Sequence, residues 1–284
     1  MGQIANFGDV PEEYSALENA SVVVIPVPYD RTSTWLKGAS RGPSAIIEAS
    51  THMELYDIET DSEVYRKGIF TAEALNGELL PEDMVEMVAE QVRQYIRDNK
   101  FVVVLGGEHS VSIGPVRAHN ANNTDITVLQ LDAHCDLRDE YEGSKYNHAC
   151  VMARIMELCP IVQVGIRSMD SAEKKDLDTS RVVFARDIST NEDWIEKTLS
   201  KLTDKVYVTI DLDVFDPSIM PSTGTPEPGG LLWYDVLGLL RVVFENRDVV
   251  GFDVVELCPD ERNKAPDFLA AKLIYKLLSY KFRD

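Results

Sequence analysis

The stretch Ile126-Thr127-Val128-Leu129-Gln130-Leu131-Asp132-Ala133-His134-Cys135-Asp136 decides how this chain is read. Its first six residues are β-branched or aliphatic apart from one glutamine, as expected of a strand buried inside a parallel sheet. The residues that follow put Asp132, His134 and Asp136 at alternating positions. Side chains alternate along an extended strand, so these three are expected to point the same way. A second alternating pair, Asp211 and Asp213, follows the apolar run 206–210. His109, in Gly106-Gly107-Glu108-His109-Ser110, follows the apolar run 101–105. Four carboxylates and an imidazole aimed at one spot repel one another unless a cation sits among them. Two histidines and four aspartates form a mostly oxygen-donor set, too large for one tetrahedral zinc. The set suits two hard or borderline divalent ions, manganese first.

Working outward, apolar runs predict strands at 21–27, 101–105, 126–131, 161–164, 182–185, 206–210 and 249–255. Helical spacing predicts helices at 43–50, 82–98, 114–120, 149–159, 192–202, 234–246 and 264–282. No linker, repeat or break in composition divides the chain. The expectation is one α/β domain over residues 1–284, a doubly wound, mostly parallel sheet with helices on both faces. Ligands of such sheets bind beyond the carboxyl ends of the strands. His109, Asp132 and Asp211 each follow a predicted strand, and Glu256 follows a fourth, so one sheet edge collects all of them.

The chain has 28 Lys and Arg against 48 Asp and Glu, a net charge of −20. That excess argues against nucleic acid and anionic membrane surfaces as partners, and fits a cationic substrate. No apolar run approaches the roughly 18 residues that span a bilayer. Met1 to Tyr14 lack the basic-then-apolar order of a signal peptide. The four cysteines, Cys135, Cys150, Cys159 and Cys258, show no paired spacing and read as reduced thiols of a cytoplasmic protein. Cys135 reads as a packing residue on the face opposite the ligands. Glu108 reads as a supporting acid, Asp216 as a turn residue, and His119 as structural.

Taken together the motifs resemble the arginase/agmatinase, or ureohydrolase, family. The resemblance runs through Val27-Pro28-Tyr29-Asp30, Gly42-Pro43-Ser44 and the two aspartate motifs. It continues through Asp211-Leu212-Asp213-Val214-Phe215-Asp216-Pro217, Gly229-Gly230 and Gly251-Phe252-Asp253-Val254-Val255-Glu256. It implies an arginase-like fold and two Mn²⁺ per subunit. One ion would be held by His109, Asp132, Asp136 and Asp211, the other by Asp132, His134, Asp211 and Asp213. It also implies His148 as the proton shuttle and Glu256 as the guanidinium acceptor; with Asp136 these are the expected catalytic residues. A homotrimer or homohexamer is implied as well.

The loop 136–143 is most like agmatinases, which implies cleavage of agmatine to putrescine and urea within polyamine synthesis. The attack expected is that of a metal-bridging hydroxide on the guanidinium carbon. Two divalent ions, four carboxylates and one hydroxide sum to −1 by formal charge (4 − 4 − 1), a site suited to a small guanidino cation. Where arginases usually carry Asn two residues after the last aspartate of the first motif, this chain has Arg138. An arginine can pair with a carboxylate, so guanidinobutyrate, guanidinopropionate or arginine stay open as substrates. The acids Asp139, Glu140 and Glu142 could serve a distal ammonium or only a solvated loop. A zinc amide hydrolase and a silent homologue are weaker alternatives, because no ligand position is lost.

Overall fold

A computed structural model describes residues 6–123 and 125–283. The leader reading of Met1 to Tyr14 rests partly on residues 1–5, which lie outside that set. Eight strands form one sheet: β1 (Val22–Val27), β2 (Ile69–Thr71), β3 (Phe101–Gly106), β4 (Ile126–Leu131), β5 (Ile161–Ile166), β6 (Val182–Phe184), β7 (Lys205–Asp211) and β8 (Asp248–Val255). Their order is β2-β1-β3-β8-β7-β4-β5-β6, and every neighbouring pair is parallel.

The helices are α1 (Glu12–Ser15), α2 (Gly42–Ser50), α3 (Pro81–Arg97), α4 (Ile113–Asn122), α5 (Val151–Met156), α6 (Ala185–Ile188), α7 (Trp194–Leu199), α8 (Trp233–Asn246) and α9 (Ala265–Lys281). Alternate residues of β1 go to opposite cores. Val22 and Val24 pack with α2, α8 and α9, whereas Val23, Ile25 and Val27 pack with α3, α4 and α5. Both faces of the sheet are therefore covered, which is why the central strands are apolar throughout. Two cores of this size make burial of apolar surface the main stabilising term.

The winding explains where the site falls. The chain builds β1 to β3 on one half, crosses to β4, and later fills the gap between β3 and β4 with β7 and β8. The carboxyl ends of β3, β8, β7 and β4 thus lie side by side at the switch of strand order, where parallel sheets leave a crevice.

Several expectations need correction. The short edge strand β2 is not expected; three residues, one buried and two half-buried, carry too little periodicity to read. The run 182–185 stops at Phe184, because Ala185 opens α6. The helix expected at 149–159 is confined to Val151–Met156, after a 3₁₀ turn His148–Cys150. The strand alternation expected to align Asp132, His134 and Asp136 is absent. β4 ends at Leu131, and Asp136 lies in the left-handed region (φ 53°). A turn, not a strand, brings these side chains together.

His119, on α4, is buried against Tyr207 and Gly251, and its Nε2 has no hydrogen-bond partner. Burial pulls its pKa down to about 3. The unfolded chain takes up this proton below about pH 6.5, whereas the folded chain resists until about pH 3. Stability therefore falls as pH drops through that window, by about 1.4 kcal/mol per pH unit. His119→Leu is expected to flatten the acid limb between pH 6.5 and 4 in urea unfolding, whatever packing cost it carries. An unchanged slope contradicts this.

Candidate active site

Each ligand candidate sits at or just past a strand end. β3 turns sharply at Gly107, where a Cβ would lie 1.8 Å from the Tyr29 carbonyl oxygen, so only glycine lets the chain pass. His109 then opens a 3₁₀ turn. Asp211 ends β7 and its Oδ1 accepts the Asp213 amide at 2.9 Å, capping the turn Leu212–Val214. Asp213 Oδ1 in turn accepts the Ala133 amide, and Asp132 Oδ1 the His134 amide. The two aspartate motifs are thus stitched to each other through backbone donors. Each still keeps an oxygen for the centre.

His109 Nδ1 lies 3.0 Å from Asp136 Oδ2, 3.1 Å from Asp132 Oδ2 and 3.3 Å from Asp211 Oδ2. It is buried, yet makes a hydrogen bond with none of them. Three carboxylate oxygens crowd this one nitrogen without the alignment of hydrogen bonds, and those of Asp132 and Asp211 lie close enough to it and to each other to share a cation. His134 Nδ1 lies 2.9 Å from Asp213 Oδ2 and 3.6 Å from Asp132 Oδ1. Two clusters follow, His109–Asp132–Asp211 and Asp132–His134–Asp213, and Asp132 belongs to both.

The titration of the cluster shows what it needs. Burial pushes the Asp211 carboxyl far above its usual range, and the charges of Asp213 and Asp132 add to this. Asp136 is raised to about 6 by burial and by Asp132. Burial disfavours a charged His109, but the carboxylates of Asp132, Asp136 and Asp211 still hold its pKa well above the ordinary value. Taken alone, His109, Asp136 and Asp211 favour their protonated forms, which relieves the repulsion. Divalent cations can replace those protons, and such a site binds metal more tightly as pH rises.

The residues behind the cluster fix its chemistry. His109 Nε2 is 3.0 Å from Thr209 Oγ1, and that hydroxyl donates to Asp253 Oδ1 at 2.6 Å. Thr209 therefore accepts from Nε2–H, which leaves the Nδ1 lone pair for a metal. Tyr207 donates to the other Asp253 oxygen at 2.8 Å. Gln130 Nε2 donates to Asp132 Oδ2, and Gln163 orients Gln130. Thr209, Gln130 and Gln163 escape a sequence reading because they look like ordinary strand residues; the only hint is polarity inside apolar runs.

Above the cluster lies a cleft of about 330 Å³. His148, Glu256, Asp136, His109, His134, Asp211 and Asp213 all reach it; Asp132 is held beneath. Glu256 follows β8 in the left-handed region (φ 66°) and spends Oε1 on the His109 amide at 2.7 Å. Burial, and then the charge of Glu108, push its pKa well above the usual value, as suits a carboxylate awaiting a cation.

The His148 amide donates to Thr32 Oγ1 at 2.9 Å, and that hydroxyl donates to Glu108 Oε1 at 2.5 Å. Glu108 is the supporting acid expected of it, and its other oxygen holds the amides of Thr32 and Ser33. Asp216 is the expected turn residue, accepting from the Ser218, Gly229 and Gly230 amides. Cys135 is buried in the core, as expected, and all four cysteines are free.

The loop after Asp136 differs from what its acidity suggested. Arg138 reaches the cleft but pairs with Asp170 (3.2 Å) and lies 4.5 Å over the Tyr141 ring. Asp139 is bound to Arg154 and Lys145 outside the cleft. Among the described residues, neither Glu140 nor Glu142 lines it.

The arginase family profile matches residues 20–279. An N(1)-aminopropylagmatine ureohydrolase of Synechocystis sp. is 41% identical over 281 residues, covering 95% of this chain and 92% of the relative. An agmatinase of Pyrococcus horikoshii is 32% identical, covering 94% of each. The crystal structure of the agmatine ureohydrolase of Thermoplasma volcanium superposes with a TM-score of 0.89 at 32% identity, covering 99% of this chain and 95% of that one. The chain belongs to the arginase family. It is a ureohydrolase, an enzyme that hydrolyses guanidino compounds, of a family that uses a dinuclear metal site. No helix among the described residues is long and apolar enough to cross a membrane.

Thr209→Val removes the acceptor that orients His109 without touching a ligand. Manganese affinity measured by calorimetry is expected to fall by about 10- to 100-fold. Unchanged affinity would show that the Asp253–Thr209 pair does not act on the metal.

Proposed function

We propose that this enzyme hydrolyses guanidino-alkylamines, with N(1)-aminopropylagmatine preferred and agmatine a second substrate. The observation that carries the choice of an amine tail is the engagement of Arg138 by Asp170 and Tyr141. A free arginine in the cleft would seek a carboxylate tail; a neutralised and stacked one does not. The aminopropyl compound is put first because relatives bearing that name are 41% and 39% identical. Agmatine is retained because the Pyrococcus relative at 32% is an agmatinase.

His109, Asp132, Asp136 and Asp211 would hold one ion, and Asp132, His134, Asp211 and Asp213 the other. Manganese suits this set of carboxylates with two imidazoles. When bound, the pair supplies Lewis acidity, lowering the pKa of water far enough for hydrolysis near pH 7. The side chains do the rest. Glu256 has one oxygen free of the His109 amide for the guanidinium nitrogens. Asp136 would take the proton of the attacking water. As the C–N bond to the alkyl nitrogen breaks, that nitrogen cannot leave as an anion. His148, held by Thr32, delivers the proton. Urea and the free amine leave: spermidine from the aminopropyl compound, putrescine from agmatine.

We further propose a cytoplasmic setting, which the four free cysteines support. Self-association as a trimer or hexamer is also proposed, and the exposed apolar side chains of Ile58, Tyr234 and Phe268 on one face support it.

The test is urea release by the manganese-loaded enzyme from aminopropylagmatine, agmatine, guanidinobutyrate and arginine. The amines are expected to exceed the acids in kcat/KM by at least about 100-fold, the aminopropyl compound leading. A guanidino acid as best substrate would overturn the assignment. His148→Asn is expected to lower kcat about 100-fold with KM little changed; an equal loss in binding would deny His148 the proton-transfer role.

A further inference from the structure

Residues 30–38 form a strap across the cleft, pinned at both shoulders. Asp30 Oδ2 accepts the Gly38 amide at 2.5 Å. Glu108 Oε2 accepts the amides of Thr32 and Ser33 at 2.6 and 2.8 Å. Between these anchors, Thr34, Trp35 and Leu36 line the cleft. Trp35 is 70% exposed and Leu36 46%. An indole this exposed on a cleft wall, held in place by a pinned loop, is apolar surface offered to a ligand.

The charged groups of the outer cleft and its tyrosine are already engaged. Asp170 is held by Arg138 and by the Ala172 amide. Glu173 takes the amides of Leu137 and Asp170. The Tyr141 ring carries the Arg138 guanidinium. Among the described residues, no ring and no cation stacks on the Trp35 indole. The tail of a guanidino-alkylamine has methylenes that gain from burial and an ammonium that needs a negative surface. An indole face supplies both in one group, and it repels a carboxylate tail.

We infer that Trp35 is the specificity-determining residue of this enzyme: its indole covers the alkyl tail and takes the tail ammonium on its face. The inference rests on the guanidino-amine reading above. It assigns amine preference to a neutral aromatic, not to the acidic loop 139–142. The strap reaches the cleft because Glu108 holds it, and the same Glu108–Thr32 pair holds His148. Tail cover and proton donor are therefore set by one anchor.

The experiment compares the manganese-loaded wild type with Trp35→Phe and Trp35→Ala, on aminopropylagmatine, agmatine and the tail-less methylguanidine. Trp35→Ala is expected to raise KM for both amines about tenfold with kcat within about twofold. The preference for agmatine over methylguanidine should fall by the same factor, and Trp35→Phe should restore most of it. Spermidine should quench the tryptophan fluorescence of the wild type and leave that of Trp35→Phe unchanged. Equal KM values in wild type and Trp35→Ala overturn the inference alone, as does a loss that leaves the agmatine-to-methylguanidine ratio unchanged, the mark of a merely structural strap. No urea from either amine with the wild type overturns the functional reading, and the inference with it.

Discussion

The constraint on which this structure depends is the repulsion among Asp132, Asp136, Asp211 and Asp213, gathered at one edge of a buried sheet. Among the described residues no lysine or arginine pairs with them; the basic groups that do are His109 and His134. Burial makes the repulsion severe, because little water screens it. The fold accepts this arrangement because backbone amides of Ala133, His134 and Asp213 each bind one carboxylate oxygen, of Asp213, Asp132 and Asp211 respectively. The oxygens that remain have one coherent use, the binding of divalent cations. Asp136 and Glu256 both lie in the left-handed region, where conformational strain is accepted to aim a side chain at the site.

Parallel winding and site are one design. β7 and β8 enter the sheet last and fall between β3 and β4, so four ends converge where the strand order switches. The polar side chains inside these strands, Gln130, Thr209 and Asp253, are fully buried and would each weaken the core unpaired. All three are paired toward a metal ligand. Their burial cost is offset by hydrogen bonds that also fix the tautomer of His109 and the carboxylate of Asp132.

Much of this is legible in the chain itself. The central strands announce themselves by apolar runs, and the aspartates and histidines by their places just past those runs. What is not legible depends on contacts between distant residues or on local backbone. Ile69–Thr71 is too short and too exposed on one side to show a period. The convergence of Asp132, His134 and Asp136 follows from a turn with φ 53° at Asp136, which no alternation rule anticipates. Arg138 promised a carboxylate clasp, and only its meeting with Asp170 across 32 residues of sequence removes that reading. Glu108 and Thr32 are 76 residues apart, so their grip on His148 could not be read from spacing.

Asp132 belongs to both ligand groups, so it would serve two divalent ions at once. The direct measurement is the number of manganese ions bound per chain, by elemental analysis of the enzyme after dialysis against trace metal, for wild type and Asp132→Asn. The account predicts two ions per chain in the wild type, both lost or weakened together in the variant. One ion per chain, or a variant that loses one ion and keeps the other at full affinity, would contradict it.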